Sequence, residues 1–225
     1  AIDLTKQAID QLREIDSNLL TIWLGQDGFD YGFQVDYKKI WDDEINAIRE
    51  VAEYDKDCLI SIEYKPNEPR AYSLLANLGT TLLAIKEINL NNIGVTIDFA
   101  HILYSNEQPA LVAALIDKHS KILGLHLNDG YGKRDDGLMV GSVHQLATIE
   151  LLYHISKSKY NGPIYFDTFP DTTNMDPVKE CELNISTVKQ QFKLVDKLIK
   201  NNELSNAIEN QDSIASHKIF NSILY

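Results

Sequence analysis

The sequence predicts a parallel α/β fold of the barrel type, and three observations carry that reading. Short apolar runs rich in Ile, Leu and Val alternate with amphipathic helical segments from end to end. That order builds a parallel sheet covered by helices on both faces. No Gly-x-Gly-x-x-Gly or Walker-type loop follows any run, so an open nucleotide-binding sheet loses support. Four of the runs close on residues able to hold a divalent cation: Glu63, Asp98, His126 and Asp167. Four strand ends converge on one pocket only when the sheet curls.

The elements follow in order. Residues 2–9 read as a helix already under way, and a first strand ends at Trp23. A helix is expected over 37–54, then a strand ending Glu63-Tyr64-Lys65. The stiff turn Pro66-Asn67-Glu68-Pro69-Arg70 opens a helix predicted over 71–88. A third strand ends at Asp98, and Pro109 starts a helix over 109–119, where the first turn tolerates a missing N–H. The fourth strand ends at Asn128. Ser142-Val143-His144-Gln145 has the spacing of a capping box for a helix over 144–157. A fifth strand ends at Asp167, and Asp176-Pro177 caps and opens a helix over 177–199. Its apolar stripe reads Cys181, Ile185, Val188, Phe192, Val195 and Leu198.

Residues 1–199 are therefore expected to form the barrel domain, and 200–225 a polar helical tail. Five strands do not close an eight-stranded barrel. The chain is expected to cover the C-terminal five strand–helix units, with about three units, on the order of 100 residues, preceding it.

Composition narrows the function. A formal charge of −12 over 225 residues disfavours sequence-independent binding to a phosphate backbone. No apolar stretch reaches the roughly 18 residues of a membrane span. Cys58 and Cys181 make no disulfide framework, are expected to be small buried hydrophobes, and suit a reducing cytoplasm.

Glu63 and Lys65 lie two apart on one strand and so share a face. A carboxylate and an ammonium in a barrel mouth need a partner, and a structural ion pair accounts for these two equally well. Asp98 and His101 are three apart, so Asp98 can face inward while the chain turns and His101 swings over the same pocket. A solvated loop histidine is the plainer alternative. His126 and Asn128 again share a strand face, followed by Asp129 and the charged loop 130–137, whose carboxylates are candidates for a second cation. Asp167 completes the ring, since the next helix already has its cap in Asp176. His119, His144, His154 and His217 receive no role.

The run Glu63-Tyr64-Lys65-Pro66-Asn67-Glu68-Pro69-Arg70 resembles the Glu-x-Lys-Pro-Asn-Glu-Pro-Arg signature of xylose isomerases. Ile97-Asp98-Phe99-Ala100-His101 and His126-Leu127-Asn128-Asp129 look closer to L-rhamnose isomerase. Together they resemble the xylose isomerase-like TIM barrel superfamily over nearly all of the chain except the tail. That superfamily also contains ketose 3-epimerases and metal-dependent endonucleases.

The resemblance implies that Glu63, Asp98, His126 and Asp167 hold one metal. It implies that His101 and Asp135, or Asp136 in its place, join Asp98 around a second. Mn²⁺, Mg²⁺ and Co²⁺ suit such ligands, Mn²⁺ foremost. Lys65 matches the lysine that polarises the substrate carbonyl, with His101 and Asp135 beside it as catalytic residues. Trp23 falls where relatives place an aromatic wall, and Asn128 is counted with it among substrate-binding residues. Xylose isomerases carry aspartate at the places of Asn128 and Gly137, and a second lysine near Phe169. A small-molecule sugar and a homo-oligomer are the implied partners.

Three rivals stand beside a two-metal aldose–ketose isomerase working by 1,2-hydride shift. A one-metal ketose 3-epimerase would shuttle a proton between Glu63 and Asp167, and has no need of Lys65, His101 and Asp135 together. An endonuclease needs a basic groove that the charge denies. A degenerate, non-catalytic barrel has chain length as its support.

Overall fold

The computed structural model describes residues 1–170 and 174–224. Five strands, β1 (Leu19–Trp23), β2 (Leu59–Glu63), β3 (Ile93–Asp98), β4 (Ile122–Leu127) and β5 (Ile164–Phe166), pair in parallel in the order β1-β2-β3-β4-β5. They form half of a TIM barrel, alternating with helices. Among the described residues β1 and β5 each pair on one side alone.

The strand residues alternate as a barrel requires. Ile60, Ile62, Val95, Ile97, Leu125 and Leu127 are fully buried beneath the helices. The opposite face carries Ser61 and Glu63, Thr96 and Asp98, Gly124 and His126. Under the carboxylates this face is small and hydroxylated: Ser61 Oγ lies 2.5 Å from Thr96 Oγ1. A Cβ on Gly124 would come within 2.6 Å of that hydroxyl, so glycine leaves room for the pair. The β3–β4 register shifts between Val95 and Thr96, and the shift sets Asp98 opposite His126.

The helices are α1 (Ile2–Glu14), α2 (Tyr37–Tyr54), α3 (Leu78–Ile88), α4 (Phe99–Tyr104), α5 (Pro109–His119), α6 (Gln145–Lys157), α7 (Pro177–Ile199), α8 (Asn202–Glu209) and α9 (Ser213–Leu224). Bounds expected for α2, α5 and α7 match, as do Pro109 at a first turn and Asp176 as a cap.

Other expectations are corrected. Residues 71–77 are not helical: Asp27 takes the Leu74 and Leu75 N–H groups, and α3 begins only at the Asn77 capping box. Ser142 caps nothing; Val143 and His144 donate their N–H groups to Asp129 instead. In α7 the covered face is Glu180, Asn184, Val188, Gln191, Val195 and Leu198, leaving Cys181 exposed. Asn184 on that face accepts from the Val140 N–H at 3.0 Å. Helix α4 was not foreseen at all.

Residues beyond 200 are helical: α8 buries Leu204 and Ala207, and Ile219, Phe220 and Ile223 of α9 rest on the core. Tyr225 lies outside the described residues. No described helix is long and apolar enough to cross a membrane.

Candidate metal centre and active site

Four side chains meet at the carboxyl ends of β2–β5. Glu63, Asp98, His126 and Asp167 each present one ligand atom within 4.8 Å of the others. His126 Nδ1 lies 3.4 Å from Glu63 Oε2, 3.8 Å from Asp167 Oδ2 and 3.9 Å from Asp98 Oδ2. That nitrogen is buried and has no hydrogen-bond partner. An unpartnered imidazole nitrogen ringed by three carboxylates is costly unless something positive sits among them. Oxygen donors with one imidazole suit Mg²⁺, Mn²⁺ or a neighbouring divalent ion, so the residues fit a metal.

Asp98 has a second task. It is the N-cap of α4, its Oδ1 accepting the His101 N–H at 3.0 Å. The capping bond fixes His101, and the ring turns back over the cluster. His101 Nδ1 then lies 3.5 Å from Glu63 Oε1, and Nε2 lies 3.1 Å from Asp135 Oδ2. Lys65 Nζ donates to that same Oδ2 at 3.2 Å and stands 3.4 Å from Glu68. The Lys65 ammonium also sits over the Trp23 ring at 5.2 Å.

Between the two candidate loop carboxylates the geometry distinguishes roles. Asp135 faces His101 and Lys65, while Asp136 braces its own loop by accepting from Tyr131 N and Arg134 Nε. Gly137 has φ +56, and a Cβ there would meet the Phe169 ring at 2.4 Å, so a side chain at this position would be strained.

Asn128 is fully buried. Its amide donates to both Asp98 oxygens, at 3.2 and 3.1 Å, and to the Asp167 carbonyl at 3.0 Å. Its own carbonyl accepts the Ala100 N–H at 2.8 Å. Both polar atoms of the Asn128 side chain thus work on the frame of the cluster. Sequence reading missed this because an inward position does not reveal which neighbours fill it.

The charges are strongly coupled. Burial raises the Asp98 carboxyl to about 6, partly opposed by His101. Burial alone would lower His101, but Asp98, Asp135 and Glu63 outweigh it and raise the imidazole to about 9. His126 is raised in the same way, by Glu63, Asp98 and Asp167 against burial. Asp135, despite burial, is held below the usual carboxylate range by His101 and Lys65.

Trp23, Asp27, Glu63, Lys65, Glu68 and Ser73 line a small hollow beside the cluster. A larger, mostly apolar hollow of about 280 Å³ lies between α6 and the C-terminal helices. It shares no residue with the cluster, so the chemistry is read at the strand ends.

Residues 1–189 match the model of the family described as xylose isomerase-like TIM barrel. The chain belongs to that family. It is 27% identical over 167 residues to a xylose isomerase of Thermus thermophilus, a match covering 72% of this chain and 43% of that one. The chain thus spans less than half the length of that curated relative. Among solved structures, a D-tagatose 3-epimerase-like protein superposes with a TM-score of 0.73 at 20% identity, covering 88% of this chain and 70% of its own. An L-ribulose 3-epimerase gives 0.72 at 14% identity, with 88% and 69% covered. At such identities these two structures show the fold alone. Family membership thus gives this chain the xylose isomerase-like barrel.

Proposed function

We propose that the chain carries the active site of a metal-dependent aldose–ketose isomerase. The observation behind this is the placement of Lys65: a largely covered ammonium two residues past Glu63, beyond the end of β2 rather than on the strand as expected, sharing Asp135 with His101. A proton-shuttling epimerase has no use for that trio. Glu63, Asp98, His126 and Asp167 would hold the cation, Mn²⁺ foremost. When bound, it supplies Lewis acidity toward sugar oxygens.

The protein's own groups do the rest. Lys65 offers a fixed N–H donor to the carbonyl oxygen, where negative charge grows during a hydride shift from C2 to C1. Asp135 holds that ammonium in place, and His101 faces the same carboxylate oxygen. Trp23 supplies an aromatic wall for the sugar's C–H face. Asn128 positions Asp98 rather than touching substrate.

A one-metal 3-epimerase using Glu63 and Asp167 is the second reading. It is favoured by the finding that the described residues form one four-ligand cluster and no second. The two reactions differ in the fate of a hydrogen. The test is to incubate the protein and Mn²⁺ with a panel of aldoses and ketoses in D₂O and follow products by NMR. Ketose formed from aldose without solvent deuterium at C1 supports the isomerase. Deuterium at C3 of a recovered ketose supports the epimerase, and no turnover of any sugar supports a non-catalytic barrel.

A further inference from the structure

Asp129 is fully buried one residue beyond Asn128, and its carboxylate gathers four donors. Oδ1 accepts from Gly130 N at 2.8 Å and from His144 Nδ1 at 2.9 Å. Oδ2 accepts from Val143 N and His144 N, both at 2.8 Å. Its backbone exchanges two 2.9 Å hydrogen bonds with Leu138. Asp129 and Leu138 flank the loop 130–137, so this pairing closes the loop at its base. At its far side Gly137 O accepts the Phe169 N–H at 2.9 Å, and within it Asp136 accepts from Tyr131 and Arg134. The one loop carboxylate directed to the metal centre is Asp135.

We infer that Asp129 and His144 form a clasp that fixes the 130–137 loop and thereby positions Asp135 against His101 and Lys65. The bonds from Val143 N and His144 N tie the chain just before α6 to Asp129 and satisfy backbone donors at the helix entrance. That backbone role does not account for the imidazole, which is joined by its side chain to a carboxylate already holding the loop's first N–H. A buried carboxylate with all its partners in place is rigid, and removing one donor loosens everything that shares it. His144 is a positioning residue and touches no reacting atom. The value of holding Asp135 rests on the isomerase reading; the clasp itself does not.

Amide hydrogen exchange of the metal-free chain, read by mass spectrometry, tests the clasp. In His144→Ala the amides of 130–137 are expected to exchange about tenfold faster or more. His144→Asn, whose side-chain N–H can take the place of Nδ1, is expected to restore most of the protection. Mn²⁺ affinity at the four-ligand cluster should stay within about twofold of the parent in both, since Asn128 rather than His144 braces Asp98. Unchanged exchange over 130–137 in His144→Ala would overturn the clasp. So would an equal rise across the loop and α6 in both variants, the pattern of a lost helix cap. Exchange is read without substrate, so its outcome is separate from that of the D₂O experiment.

Discussion

Asp98 caps the helix that carries His101. One carboxylate therefore serves both as a prospective metal ligand and as the fold's own anchor for a neighbouring site residue, through a 3.0 Å bond to the His101 N–H. The three-residue spacing is that of an N-cap to the third helical position. It would recur wherever a strand ending in a ligand runs straight into a helix.

The double role separates two variants. Asp98→Asn keeps a cap oxygen and is expected to retain His101 in place while losing more than a hundredfold in Mn²⁺ affinity, beyond the loss typical of an outer partner. Asp98→Ala loses the metal and, in addition, about 1 kcal/mol of capping. Chemical denaturation beside calorimetry reads both, and equal stability of the two variants would contradict the capping role.

Asn128 has no slack. Asn128→Leu leaves the Ala100 N–H unpaired and both Asp98 oxygens without their shared donor. A loss of about 1–3 kcal/mol in stability is expected, with Mn²⁺ affinity down about 10–100-fold. Were Asn128 a substrate contact only, metal affinity would not move.

Glu44 on α2 has a buried oxygen without a partner. Burial, with Asp27 nearby, pushes its carboxyl up to about 8 from 4.5. A group raised on folding adds stability below pH 4.5 and loses it as pH rises through about 8. Glu44→Gln is expected to remove that alkaline loss, leaving the variant about 1–2 kcal/mol more stable than the parent at pH 9 after allowance for partial exposure. Melting curves from pH 5 to 9 that run parallel for the two proteins would refute it.

At Gly137 the resemblance to xylose isomerases implies an aspartate in those relatives. With φ +56 and the Phe169 ring against it, a side chain there is strained whatever its chemistry. Gly137→Asp is expected to destabilise the chain by about 1–3 kcal/mol and to add no second Mn²⁺ site. A second calorimetric site in this variant would show that the loop can yield.

The strands were legible because continuous Ile/Leu/Val runs ending in Glu63, Asp98 and His126 leave little freedom of register when both faces are buried. Those strand ends bring Glu63, Asp98, His126 and Asp167 into one group. Helix α4 was hidden because six residues are too few to show a period, and its cap was itself a site residue. The start of α3 was set too early because Leu74 and Leu75 look helical, and nothing local reveals that Asp27, far upstream, takes their N–H groups. The same holds for Ser142, displaced by Asp129. On α7 the expected stripe holds at Val188, Val195 and Leu198 and fails at Cys181 and Ile185, because Glu180, Asn184 and Gln191 are buried polar residues that a hydrophobic pattern assigns to solvent.

Glu63, Asp98, His126 and Asp167 are predicted to bind a divalent cation. Calorimetric titration of the metal-stripped protein with Mn²⁺, in buffers of different ionisation enthalpy, addresses it directly. His126 is raised and must be neutral to ligate, so binding should release protons and tighten as pH rises. The expected result is a saturable site with proton release, abolished in His126→Ala. Absence of binding, or binding indifferent to that substitution, would contradict the account.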